Sequence, residues 1–413
     1  SLIPLALLPL TGVASLRDIA APYADTVVLL LLGGFIMAIA IEKWDLHRRI
    51  ALNVLTLSGG RLKLLAGAFM LATALLSMWI SNTATSLMMA PIALSVAVAA
   101  GGGPRLGGAL LLGIAYSASI GGLATPVGTP TNLIAMGWLT DNAGIEISFR
   151  EWMSFGLPIV LIMLPMAWLI LTWNIKSDAA AAKAAGATVR AQRDALGKMT
   201  TPEVRVAIVF GFIALAWITR EQLVQIPPFV GLTDMGIAIM GAILMFLMPH
   251  GSRATEHQQG SWALLNWEDA KSVPWDVVLL FGGGLSLAAA VQASGLAGWL
   301  GNSLAGLGAL PPIVLILIVV SILIFLTEVM SNVAAMTTFL PVLGALAEST
   351  GIDVRSLILP CAMAASCAFM LPIATGPNAV VFGMRQFSIG RMMKSGFWLN
   401  VACVLIVTLY FGL

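Results

Sequence analysis

The sequence predicts an all-α polytopic membrane protein with two inverted-topology repeats, re-entrant helical hairpins and broken transmembrane helices. Three observations predict it: an apolar composition, a set of motifs that occurs twice in one order, and a one-sided placement of Lys and Arg. Of the 413 residues, 59% are hydrophobic and 10% charged, and the mean hydropathy is +0.97. Soluble domains carry about 25% charged residues, so this chain is built for hydrocarbon. Apolar runs at 25–41, 153–173, 203–219, 229–248, 311–326 and 394–413 are each expected to be helices crossing the membrane, whose core is about 30 Å thick. A β-barrel would alternate apolar and polar residues instead. Cys361, Cys367 and Cys403 lack metal-ligand spacing and read as small packing residues.

The doubling rests on three blocks. LLGGFIMAIAIEKWDLHRRIALNVL from Leu31 aligns with LFGGGLSLAAAVQASGLAGWLGNSL from Leu280. SNTATSLMMAP at 81 recurs as SNVAAMTTFLP at 331, an offset of 250. TPVGTPTN at 125–132 recurs as LPIATGPN at 371–378, an offset of 246. Two apolar runs precede the second glycine block, whereas only the stub at 1–10 precedes the first, so the first half is expected to lack an N-terminal helix.

Charge placement sets the topology, because cytoplasmic loops collect Lys and Arg. Let the stretches around 62–100 and 311–348 each enter the membrane and turn back on the same side. Then 17 of the 21 Lys and Arg fall in inner loops, and only Arg17, Arg150, Arg220 and Arg355 fall in outer ones. Each half then has an odd number of crossings once the absent helix is restored, so the halves insert upside down. Inverted repeats of this kind build secondary transporters, with the substrate near the midplane. The expected organisation is a first repeat over 1–175, a second over 203–413, and a polar, Ala-rich cytoplasmic loop over 176–202 between them.

The polar tips carry the chemistry. Ser-Asn-Thr at 81–83 and Ser-Asn-Val at 331–333 fall where the two hairpins reverse, and the Pro and Gly of TPVGTPTN and LPIATGPN interrupt a helix. Broken helices persist in a membrane only where protein or a water-filled cavity covers them. Four interruptions, two from each half, are expected to converge. Helix N-termini offer N–H groups and positive dipole ends to a carboxylate or sulfate, and freed carbonyls with Ser, Thr and Asn oxygens suit Na⁺. The tips hold no Lys or Arg, so a dianion there needs a co-bound cation to offset its charge. Glu328, four residues before Asn332, reads equally as a functional carboxylate or a structural hydrogen-bond acceptor.

Taken singly, each Ser-Asn is an N-cap and each Gly-Thr-Pro a kink; matched twice in one order, they read as a site. The glycines at 33–34 and 282–284 read as close helix packing. A channel is disfavoured by hairpins that would occlude it. An intramembrane enzyme is disfavoured because there is no paired intramembrane Asp and no HExxH, and His47, His250 and His257 are all expected in loops.

SNTAT with GTPTN, followed by TEVMSNVAAMTTFLP and CAFMLPIATGPNAVVFG, resembles the divalent anion/sodium symporter family of the ion transporter superfamily. The resemblance implies a non-enzymatic secondary transporter in a bacterial inner membrane. Its substrate would be a C4–C6 di- or tricarboxylate, coupled to Na⁺ and moved by elevator-type alternating access in a homodimer. Dicarboxylate exchange without Na⁺ and sodium/sulfate symport are the alternatives. The same resemblance implies one Na⁺ site at Ser77, Ser81, Asn82 and the Gly128 backbone, and another at Thr327, Asn332 and the Ala374 backbone. Substrate would meet Asn82, Thr83, Thr129, Asn332 and Thr375, with Val333 and Gly376 on the same face and Pro377 holding the second break. Val333 stands where the pattern has Thr, and Gly376 where Pro is common.

Overall fold

A computed structural model of the chain describes residues 2–413 except 60, 102, 176–177, 252–261, 297, 300–302, 304–305 and 307–309. Lys176, Arg253, His257 and part of the second glycine block beyond 296 lie outside the described residues. The described residues are helical apart from loops and one isolated antiparallel bridge, Pro249 with Ala263. Seven of the described helices are long and apolar enough to cross a membrane.

The apolar runs become Thr26–Lys43, Phe149–Thr172, Thr201–Leu223, Asp234–Leu247, Pro312–Leu326 and Ile389–Gly412. Two of them fall short of the expected span. The run from 229 opens with a 3-10 turn, and Thr233 then caps the 14-residue helix Asp234–Leu247 through the Gly236 N–H. At about 1.5 Å per residue, that helix and the 15-residue Pro312–Leu326 reach only ~21–23 Å.

Both hairpins form. The first joins Leu62–Ser77 to Asn82–Ala99, and the second joins Pro312–Leu326 to Asn332–Thr350. Their tips have the same backbone: Ser81 sits at φ −47°, ψ 132° and Ser331 at φ −59°, ψ 134°. Pro91 and Pro341, which end the two quoted motifs, lie inside the second arms. The breaks match as well. Gly103–Gly122 and Pro130–Ala143 flank the first, Arg355–Ala365 and Gly376–Gly383 the second.

The helix after each break packs on the other half. Pro130–Ala143 lies against Asn332–Thr350 and Arg355–Ala365, while Gly376–Gly383 lies against Asn82–Ala99 and Gly103–Gly122. This exchange brings four helix starts to one place. The glycine blocks pack as expected: a Cβ on Gly33 would fall 2.7 Å from the Ala238 Cβ, and one on Gly282 would fall 2.7 Å from the Tyr23 Cα.

Two expectations are corrected. The linker is a helix, Ala179–Ala195, where a loop was expected; Asp178 caps it, and it packs on Asn82–Ala99 and Leu46–Leu55. Its alanines have the highest helix propensity of any residue, and Ala181, Ala182, Ala185 and Val189 are buried beneath it. Arg49 then ties the following turn, donating to Glu203 at 2.9 Å and to the carbonyls of Leu196, Gly197 and Lys198. His47 is also not in a loop. It lies on Leu46–Leu55, is buried, and its Nδ1 is 3.0 Å from the Ile41 carbonyl, the sort of tie that anchors a short helix after a turn.

Candidate functional site

Four helices begin at one cavity of about 510 Å³: Asn82–Ala99, Pro130–Ala143, Asn332–Thr350 and Gly376–Gly383. That volume suits a small-molecule site, which typically spans ~300–1,000 Å³. Its walls include Ser81, Asn82, Thr83, Gly128, Thr129, Ser331, Asn332, Val333, Ala374, Thr375 and Gly376. Twelve of the fourteen sequence-derived assignments, counting the two asparagines in both roles, therefore face a single space. The other two, Ser77 and Thr327, are buried behind the tips at the ends of the first arms.

The N-cap reading of the tips fails in a specific way. Ser81, Ser331 and Thr129 occupy N-cap positions, yet none makes a side-chain cap hydrogen bond. Only Thr375 caps, its Oγ1 accepting from the Asn378 N–H at 3.3 Å. The first-turn N–H groups of these helices are thus left without side-chain caps where the cavity lies. Each helix N-terminus presents a partial positive charge, so the four favour an anion in the cavity without neutralising a dianion. None of the described lining residues is Lys or Arg.

Asn82 gives a direct test of the cation site. One atom of its amide end lies 2.6 Å from Ser77 Oγ and 3.2 Å from the carbonyls of both Gly128 and Ala118. With nitrogen turned in, its two N–H groups have these three oxygens as acceptors. With oxygen turned in, four neutral oxygens cluster together, the donor type a hard cation takes. In the second half Asn332 Oδ1 is buried without a hydrogen-bond partner, and Thr327 Oγ1 donates to the Ile324 carbonyl at 3.0 Å, leaving its lone pairs free. Both sets offer neutral oxygens, the donor type that Na⁺ takes. The Ala118 carbonyl is a neighbour of Asn82 that the sequence did not suggest.

Two further residues, the last of each break motif, hold the breaks open. Asn132 Nδ2 donates to the carbonyls of Gly122 at 3.0 Å and Thr125 at 2.8 Å. Asn378 Nδ2 donates to Ala368 and Leu371, both at 3.0 Å. Acceptors and donor all keep the 246-residue offset. These amides satisfy carbonyls that the interruption frees, as hydrocarbon requires. The shared final Asn of TPVGTPTN and LPIATGPN was the available signal.

Glu328 proves to be structural. Its carboxylate accepts from the N–H groups of Phe369, Met370 and Leu371 at 2.8–3.1 Å and from Asn400 Nδ2 at 2.7 Å, and the residue is only 4% exposed. It braces the irregular stretch that leads to Ala374 and Thr375. The first half makes this tie in reverse: Thr125, the counterpart of Leu371, donates its hydroxyl to the carbonyl of Met78, the counterpart of Glu328. Between the halves, Ser366 Oγ lies 2.7 Å from Thr131 Oγ1 and 3.5 Å from Thr129 Oγ1.

Gly376 has a steric reason. A Cβ there would strike Thr83 Oγ1, so the glycine lets the first tip close on the second break. Around these polar atoms stand Phe35, Val127, Val277, Val329, Val333 and Ile373, with Val329 66% and Ile373 78% exposed.

Paired hairpins and paired broken helices around one polar cavity, in a chain of membrane-spanning helices, define a secondary transporter. Residues 1–413 match the family described as "Sodium:sulfate symporter transmembrane region", and the chain belongs to that family. It is 39% identical over 424 residues to the sodium-dependent dicarboxylate transporter SdcS of Staphylococcus saprophyticus, covering 99% of this chain and 80% of that one. The SdcS proteins of Staphylococcus aureus are 38% identical over the same shares. Among solved structures, the YdaH transporter of Alcanivorax borkumensis shares the fold at a TM-score of 0.65, with 16% identity over 95% of this chain and 85% of that one. The chain is a multi-pass integral membrane protein whose relatives are transporters, not enzymes.

Proposed function

We propose that the chain is a symporter that moves a C4–C6 di- or tricarboxylate with Na⁺ across the bacterial inner membrane. One observation carries this reading: the oxygens of Ser77, Gly128 and Ala118 gather at the Asn82 amide beside a cavity where four helices begin and none of the described lining residues is Lys or Arg. Such a site repels a lone dianion less than hydrocarbon does, but does not neutralise it. Na⁺ held by Ser77, Asn82 and Gly128, and by Thr327, Asn332 and Ala374, would supply the missing charge. Ser81 would complete the first set. The naming of the SdcS relatives as sodium-dependent dicarboxylate transporters supports the same assignment.

Substrate carboxylates would then take the amides of Asn82 and Asn332 and the hydroxyls of Thr83, Thr129 and Thr375. Val333 and Gly376 would contribute shape without hydrogen bonds. Because both asparagines belong to a cation set and an anion set, neither ligand reaches full affinity without the other, which is what coupling requires. The halves 1–175 and 203–413 would act as inverted repeats. In a homodimer, the hairpins and breaks would carry the site across as one rigid unit, exposing it to each side in turn.

Sulfate symport is the second reading, favoured by the family description and by the absence of any length-selective cationic clamp. A thermal-shift series with succinate, citrate and sulfate, in NaCl and in KCl, tests both. Stabilisation by succinate or citrate that needs Na⁺ supports the proposal. Stabilisation by sulfate alone favours the second reading, and stabilisation equal in K⁺ refutes sodium coupling.

A further inference from the structure

One cavity-lining hydroxyl belongs to neither inferred set. Ser119 lies on Gly103–Gly122, is 2% exposed, and lines the same cavity as Asn82, Thr83 and Thr129. A helical Ser usually returns its proton to the carbonyl four residues back. Ser117, two residues earlier, does so to Gly113, and Ser86 does so to Asn82. Ser119 makes no such bond, and among the described residues its hydroxyl has no partner at all. The residue lines the cavity, so a hydroxyl not turned back on its own helix is open to a bound ligand.

The position narrows the ligand. The preceding carbonyl, Ala118, is 3.2 Å from the Asn82 amide, so this turn of helix borders the first cation nest. A Cβ on Gly122 would fall 2.8 Å from Asn82 Oδ1, which places the next turn there too. The Asn82 amide already has three oxygen neighbours without Ser119. What Ser119 adds is a proton donor with no acceptor, and the ligand that accepts protons here is the anion.

The repeat adds a second, independent observation. At the 246-residue offset the counterpart of Ser119 is Ala365, and at the 250-residue offset the counterpart of Thr83 is Val333. In both pairs the first half holds a hydroxyl and the second half a hydrocarbon. The first-half wall therefore carries two hydroxyls, of Thr83 and Ser119, that have no counterpart on the second-half wall.

We infer that Ser119 is an anion-binding residue: with Thr83 it donates to one carboxylate of the substrate and so fixes which end of the dianion faces the first half. This rests on the symport reading. In proteoliposomes with an inward Na⁺ gradient, Ser119→Ala is expected to raise the KM for succinate about tenfold, the usual loss for one hydrogen bond to a charged group. Half-saturating Na⁺, measured at saturating succinate for each variant, should stay at the wild-type value. Ser119→Thr, which keeps the hydroxyl, should restore KM more than halfway on a logarithmic scale. Ser117→Ala, whose hydroxyl is already satisfied by Gly113, should match wild type. An unchanged KM in Ser119→Ala, or a shift in Na⁺ dependence with KM unmoved, overturns the inference. If wild type takes up sulfate but not succinate, the dicarboxylate reading fails separately, and the same variants are read by their KM for sulfate.

Discussion

Replacing Glu328 by Gln changes one atom and leaves the shape alone, so its effect isolates the bracing of the second break. Oε1 accepts from Phe369, Met370 and Asn400, and Oε2 from Met370 and Leu371. Gln retains the first set if its oxygen takes the Oε1 position. Its NH₂ must then face the Leu371 N–H, donor against donor. Hydrogen bonds to a charged acceptor contribute about 1.5–3 kcal/mol each, and a buried donor left unpaired costs about 1–3 kcal/mol. Glu328→Gln should therefore lose about 2–5 kcal/mol of stability. The displaced stretch ends at Ala374 and Thr375, so the second cation set loosens while the first is untouched. Thermal unfolding in detergent over a Na⁺ titration should show a lower melting temperature at every concentration. The Na⁺ midpoint should rise at least tenfold. Wild-type stability together with a wild-type midpoint would refute the bracing role.

Three further outcomes follow from the same geometry. Asn82→Ala and Asn332→Ala should each abolish Na⁺-driven uptake while leaving a monodisperse elution profile; near-normal uptake in either removes the shared-ligand assignment. Gly376→Ala drives a methyl onto Thr83 Oγ1 and should cost about 1–3 kcal/mol by overpacking. Adding Thr83→Ala should recover most of that stability without recovering substrate affinity, and a double-mutant cycle with no coupling would contradict the contact. Asn132→Ala and Asn378→Ala each strand one carbonyl, of Gly122 and of Ala368, because those of Thr125 and Leu371 keep the N–H groups of Gly128 and Ala374, so their destabilisations should be similar, and a large effect from one alone would break the equivalence of the two amides.

The parts legible in the sequence were those written twice. SNT and SNV announced the tips because both hairpins need the same extended residue before a helix start, and Ser81 and Ser331 adopt it. The paired breaks were legible for the same reason, since Pro and Gly interrupt a helix wherever they fall. What stayed hidden depended on orientation. Composition shows that a Ser is present at 119, not that its hydroxyl ignores its own helix. Glu328 could be read as bracing or as binding until its three backbone donors came from a segment some forty residues away. The linker was misjudged because polar, Ala-rich sequence suits both a solvated loop and a surface helix; burial of Ala181, Ala182 and Ala185 against the first hairpin decided between them.

Sodium coupling at the two asparagine tips is tested most directly by uptake of labelled succinate into proteoliposomes, with equal K⁺ inside and out and Na⁺ imposed on one side. Uptake should accumulate succinate above its external concentration with inward Na⁺ and fall to background when choline replaces Na⁺. Uptake that is indifferent to Na⁺ yet driven by dicarboxylate loaded inside would contradict it and make the protein an exchanger.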